Sequence, residues 1–245
     1  MDKKNVHIIG VLRMDKWIKA NRFIQNKKVL HKRITLFSFG PGAGILTSKP
    51  PQWPLDQNNY MPVLAKEVHK TVINFAIQNP KIEVIIKCKW LGTWKESLLK
   101  LINFKESDLN NIPNLLITAE KDAQKLISMS DVVIGFGSTT LLEASIANKA
   151  VIIPHFAEIT KESFINNVYY KDNFSCFDIA NSSDELFKMI SKYTTDYISF
   201  DHLRLKRKNM FEDYVSPLDA TAVKNSHKYI MSYAKQKFNN KFKNI

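Results

Sequence analysis

The sequence predicts an α/β fold: a Rossmann-like, doubly wound parallel sheet of about six strands, followed by a helical tail. Three observations predict it. Strand-like and helix-like segments alternate from residue 34 to about 195, which is the signature of a parallel sheet with crossover helices. The strand-like runs are short and apolar, and the clearest of them, Val132-Val-Ile134, is wholly β-branched, as suits a buried strand. A glycine-hydroxyl turn, Gly135-Phe-Gly-Ser-Thr-Thr140, links that run to an amphipathic helix, the order in which α/β sheets build anion sites.

The first strand is Ile34–Phe39, ending in Gly40-Pro-Gly-Ala-Gly44. A long loop holding Pro50, Pro51 and Pro54 leads to a helix over Met61–Gln78, where Val63, Leu64, Val68, Val72, Phe75 and Ala76 recur at helical spacing. Pro80 marks its end. A strand at Glu83–Lys87, a helix near Lys95–Asn103, a strand at Leu115–Ile117 and a helix over Asp122–Met129 follow. After the glycine-hydroxyl turn and its helix come a strand at Val151–Ile153, a helical segment over Lys161–Val168 and a strand at Cys176–Ile179. Ser183-Asp-Glu-Leu begins a capped helix. From about Asp201 the pattern is helical. Three regions result: an entry segment over residues 1–30, a Rossmann-like nucleotide-binding domain over 31–200, and a basic helical tail over 201–245.

Composition narrows the class. With 245 residues and 44% hydrophobic content, the chain can bury a large α/β core. No apolar run approaches the ~20 residues that cross a bilayer, and the apolar stretch after Met1-Asp2-Lys3-Lys4 is too short for a signal peptide. A cytoplasmic location is expected. Cys88 and Cys176 read as reduced, partly buried thiols, and neither has His or Cys neighbours at metal-ligand spacing. The net charge of +13 is mostly dispersed, with dense patches at Arg204-Leu-Lys-Arg-Lys208 and after Asp219, where six lysines meet no acidic residue. Lysines interleaved with Tyr229, Tyr233, Phe238 and Phe242 fit a helix lying on an anionic membrane surface through the Lys224–Lys243 region. A solvated helix is the alternative. No nucleic-acid motif accompanies the charge, so no nucleic-acid partner is expected.

The chemistry concentrates at carboxyl ends of strands. Gly135 and Gly137 permit a tight turn, and Ser138, Thr139 and Thr140 open a helix whose free N–H groups, hydroxyls and positive dipole end converge on one point. A phosphate fits there, while a plain N-cap explains the same hydroxyls. Glu143, about one and a half turns into the helix, is placed to reach sugar hydroxyls of a nucleotide. Lys87 and Lys89 flank Cys88, and strand alternation would send both to one face to complete a phosphate site; a solvated strand end is the alternative. Gly40 and Gly42 allow close approach of donor or acceptor, or form an ordinary turn. Trp90 and Trp94 offer stacking surfaces or simple packing. Helix and lysines supply the positive charge, so neither metal nor cofactor is required.

These residues resemble the GT-B-type glycosyltransferases, specifically the donor-binding C-terminal half of enzymes making bacterial surface and capsular polysaccharides. Glycerophosphotransferases of teichoic-acid synthesis and UDP-N-acetylglucosamine 2-epimerases are related folds. Three segments carry the likeness: Ser130-Asp131 with Val132–Ala144, Lys149-Ala-Val-Ile-Ile-Pro154, and Ile8-Ile-Gly-Val-Leu-Arg-Met-Asp15. The last is similar to the family's Gly-x-Pro-Arg-x-Asp entry to the C-terminal domain, with Leu12 in the proline's place. The resemblance implies that Glu143 binds the ribose, that His155 and Glu158 contact the donor and its sugar, and that the substrate is a nucleotide-activated sugar. It also implies an N-terminal acceptor domain, supplied in trans if this chain is half an enzyme. No residue here is identified as the catalytic base. The expected activity is glycosyl transfer, peripheral on the inner membrane face. An epimerase, a non-catalytic nucleotide-binding subunit and a membrane-associated scaffold are the competing readings.

Overall fold

A computed structural model describes residues 6–21, 32–41, 60–89, 93–165, 168–196 and 198–242. Gly42, Pro50, Pro51, Pro54, Trp90 and Lys243 lie outside these residues, as do the side chains of Phe238 and Phe242. The described residues form two compact units, one drawn from Asn26–Arg207 and one from Met1–Gln25 together with Lys208–Ile245.

The larger unit is a six-stranded parallel sheet of order β3-β2-β1-β4-β5-β6. Its strands are β1 (Arg33–Phe37), β2 (Glu83–Lys87), β3 (Leu115–Thr118), β4 (Val132–Ile134), β5 (Ala150–Pro154) and β6 (Asp178–Ala180). Strand order reverses between β1 and β4, which pair in parallel from Ile34↔Val132 to Leu36↔Ile134. All residues of β4 and β5 are buried, which is why both are apolar throughout rather than alternating. The helices are α2 (Pro62–Gln78), α3 (Thr93–Ile102), α4 (Glu106–Asn110), α5 (Ala123–Ser128), α6 (Thr139–Ile146), α7 (Glu162–Ile165) and α8 (Ser183–Thr195). α5 and α8 begin at side-chain caps, Asp122 accepting from Lys125 N and Ser182 from Glu185 N. Two expected segments differ. Of the helix expected over 161–168 the described residues form only the short α7, which a 3-10 turn at Ala157–Thr160 precedes, and Lys171–Cys176 is a 3-10 helix, so the last strand starts two residues late.

Arg207 corrects the basic-patch reading of residues 204–208. Its neighbours Arg204, Lys206 and Lys208 are exposed, but Arg207 is buried. Its Nε donates to Cys176 O and its Nη1 to Lys149 O, each at 2.9 Å, and the guanidinium lies over the Phe200 ring. Burial lowers its pKa to about 10. A charge counted as surface thus ties the start of β5 to the start of β6.

The smaller unit joins the two ends of the described chain. It contains α1 (Met14–Asn21) and α10 (Ala222–Phe242), and α9 (Arg204–Tyr214) runs into it. The entry segment and the tail both contribute to this unit. Asp15 accepts from Ala222 N at 3.0 Å and Val223 N at 2.9 Å, so its carboxylate caps α10. Gly10 has φ +83° and a Cβ there would collide with Ser216, so both conformation and space require glycine. Gly10 and Asp15, read as a domain-entry motif, therefore have direct structural work.

Candidate functional site

The crevice outside the carboxyl ends of β1 and β4 is where ligands bind in sheets of this order. β4 ends in Gly135-Phe136-Gly137, and each glycine has its own cause. A Cβ on Gly135 would stand 3.1 Å from Leu141 Cδ2 and 3.6 Å from Phe37 O, so the turn packs directly on α6 and β1. Gly137 has φ +58°, the left-handed region that other residues reach only at a cost. Ser138 then caps α6, its Oγ accepting from Thr140 N at 3.3 Å and lying 2.8 Å from Thr140 Oγ1. Ser138 and Thr140 are half-buried and Thr139 is exposed. The first turn of α6 itself holds no acidic residue, and its side-chain cap is a neutral hydroxyl.

Glu143 does not face open solvent. It is 0% exposed, and Gln124 Nε2 donates to its Oε2 at 3.2 Å. The carboxylate belongs to a residue about one and a half turns past the Ser138 cap, where α5 packs against α6.

Glu158 has a different task from the sugar contact that the resemblance implies. It is 2% exposed, and its Oε1 and Oε2 accept from Val63 N and Leu64 N at 2.8 and 2.9 Å. Pro62 at the first position of α2 has no N–H, so Val63 and Leu64 carry its first free donors. One carboxylate takes both.

Lys87 is also engaged. Its Nζ donates to Cys88 O and Ala119 O at 2.7 and 2.8 Å, fastening the end of β2 to the chain leaving β3. β2 stops at Lys87, so strand alternation does not extend to Lys89, which is exposed beyond it. The two lysines do not form the expected pair. His155 is half-buried, its ring edge-on to Phe174 with centroids 5.1 Å apart, and burial lowers its pKa. Gly40 is half-buried, 3.8 Å from Trp94 Cη2 at its Cβ position.

A polar chain absent from the sequence reading runs under β1. Trp94 Nε1 donates to Ser38 Oγ at 2.9 Å, Ser38 Oγ lies 2.9 Å from His69 Nε2, and His69 Nδ1 lies 2.6 Å from Ala65 O. Indole can only donate and a carbonyl can only accept, which fixes the direction. His69 donates through Nδ1, Ser38 donates to Nε2, and Trp94 donates to Ser38. Full burial lowers the His69 pKa to about 4, so the ring is neutral. The chain holds Trp94 beside Gly40 at the mouth of the crevice. Among the described residues no group of three or more His, Cys, Asp or Glu is placed to hold a metal ion.

No family model matches this sequence. No curated protein matches it either. Solved structures do. The wall teichoic acid polymerase TagF superposes with a TM-score of 0.52 at 15% identity, over 97% of this chain and 54% of that one. A variant of TagF soaked with CDPG gives 0.51 at 17% identity, again over 97% and 54%. The UDP-GlcNAc 2-epimerase from Neisseria meningitidis, bound to UDP-GlcNAc, gives 0.44 at 10% identity over 89% and 47%. What is shared with TagF is the fold, a Rossmann-like parallel α/β sheet flanked by helices. This chain spans about half the length of the solved chains it matches.

Within that fold, the glycine-hydroxyl turn was legible because it is contiguous. The roles of Ser38, His69 and Glu158 were not, because Ser38 meets His69 and Trp94 across 31 and 56 residues and Glu158 meets Val63 across 95. One signal was present: Pro62 opens a long helix whose cap position holds Met61 rather than Ser, Thr, Asp or Asn, which leaves its cap to come from elsewhere.

Proposed function

We propose that this chain binds a nucleotide-activated donor in the β1/β4 crevice and serves as the donor-binding part of a glycosyltransferase of surface or capsular polysaccharide synthesis. The observation that carries this reading is the amino terminus of α6: a neutral hydroxyl cap on a buried helix, at the strand-order reversal of a parallel sheet. Gly137, Ser138, Thr139 and Thr140 receive the phosphates. Departure of a nucleoside phosphate leaves charge on phosphate oxygens, which helix N–H groups stabilise in place without a covalent step. Lys87, Glu143 and Glu158 build the frame around that point. Trp94, anchored through Ser38 and His69, and Gly40 line the β1 side, where an aromatic plane suits a base or sugar ring. TagF, a polymerase of a surface polymer whose variant was soaked with CDPG, supports a donor of nucleotide type.

The test is a thermal-shift panel of UDP, CDP, CMP, GDP and ADP, since a ligand bound only to the native state raises the melting temperature. A shift selective for one nucleotide and lost in Ser138→Ala with Thr140→Ala, while circular dichroism of the variant is unchanged, supports the site. No shift with any nucleotide, or a shift retained by the variant, removes it.

A further inference from the structure

We propose that α10 is an interfacial helix by which the chain docks on an anionic lipid surface. Among the described residues, one side of α10 packs within its own unit. Ala222 is buried, Asn225 and Ser226 are half-buried, and Tyr229 stacks on His7 with ring centroids 3.8 Å apart. At ~3.6 residues per turn these positions share one side of the helix. The other side presents Val223, Ile230 and Met231, which are 53%, 64% and 44% exposed, with exposed His227 among them. Lys224, Lys228 and Lys235 follow one border of that apolar strip, and Lys237 lies on the other. From residue 220 to the end of the sequence there are six lysines and no Asp or Glu. Val6 and Ile8 flank His7, and Ile8 is 91% exposed, so the same unit adds apolar surface beside the stack.

An apolar strip bordered by lysines matches the headgroup boundary of a bilayer. Ile230 and Met231 enter the acyl edge, the lysine stems lie along it, and the ammonium groups remain among lipid phosphates. The uniform charge selects acidic lipid over zwitterionic lipid. A polyanion such as nucleic acid would satisfy the lysines but gives no account of solvent-facing Ile230 and Met231. No helix among the described residues is long and apolar enough to cross a membrane, so α10 would lie on the surface.

The experiment is co-sedimentation of the full chain with phosphatidylcholine vesicles, with and without phosphatidylglycerol. Binding is expected only where phosphatidylglycerol is present. It should fall several-fold as added salt shortens the screening length from roughly 10 Å at 0.1 M to 3 Å at 1 M. Ile230→Glu with Met231→Glu, and separately Lys224→Gln with Lys228→Gln and Lys235→Gln, should each reduce the bound fraction several-fold at unchanged melting temperature, because these side chains are exposed. Equal binding to neutral vesicles overturns the proposal, as does binding indifferent to salt or to the Ile230 and Met231 changes. Tight binding to duplex DNA or RNA without binding to acidic vesicles also overturns it.

Discussion

The amino termini of α2 and α6 open toward the same end of the sheet, yet they are completed in opposite ways. At α2 the donors of Val63 and Leu64 are filled by the buried carboxylate of Glu158. At α6 a serine hydroxyl caps the turn and no acid is present in it. The first already contains its anion, as part of the protein. The second has no acid in its own first turn or at its cap, which favours an external phosphate there. A helix terminus is therefore a site or a joint according to what tertiary packing delivers to it, and the residues of the helix alone do not decide.

Breaking the α2 joint should have the largest effect. Glu158→Ala strands two donors and removes two charge-assisted bonds, so chemical denaturation should show a loss of about 3–4 kcal/mol. Glu158→Gln keeps one acceptor and should cost roughly half as much by the same reasoning. A loss below about 1 kcal/mol in Glu158→Ala would equate this contact with an exposed cap and erase the contrast.

Acid should act next, through His69. Its pKa is 6.5 when unfolded and about 4 when folded, so the unfolded chain binds the extra proton and stability rises with pH across that window. As pH falls from 6.5 toward 4, stability should drop by an amount approaching about 3 kcal/mol. His155, also lowered by burial, contributes with the same sign. Denaturation midpoints measured across the window in wild type and His69→Gln should diverge, the variant being flatter. Parallel curves would remove His69 as the cause.

Ser138→Ala sharpens the comparison at the other helix. Loss of the cap should cost about 1 kcal/mol and weaken nucleotide binding together. A stability loss with unaltered nucleotide shift would make Ser138 a cap and nothing more. Gly137→Ala places a side chain at φ +58° and should cost about 1–2 kcal/mol in thermal unfolding. A neutral outcome would mean that the turn relaxes to another conformation.

Much of this was legible before any coordinates. β4 and β5 are continuous apolar runs, and β1 and β2 have buried, mostly apolar centres, as buried parallel strands tend to. Pro80 and Asp122 marked a helix end and a helix start by local chemistry. α4 escaped because its five residues are mostly polar and only Leu109 is buried. The contacts of Lys87 escaped because they depend on where β2 stops and on Ala119, 32 residues away beyond β3, neither of which the local pattern carries.

By itself the sequence determined the alternating α/β order, the glycine-hydroxyl turn and the accumulation of lysine in the tail. Those depend on burial periodicity, backbone conformation and charge, which are properties of contiguous residues. Tertiary structure alone decided that Glu158 completes α2, that Asp15 completes α10, that Arg207 is internal, and that Ser38, His69 and Trp94 form one hydrogen-bonded chain. Each of these pairs a buried polar group with a partner far away in sequence. Only the packed fold, which must satisfy every such group once water is excluded, selects the partner.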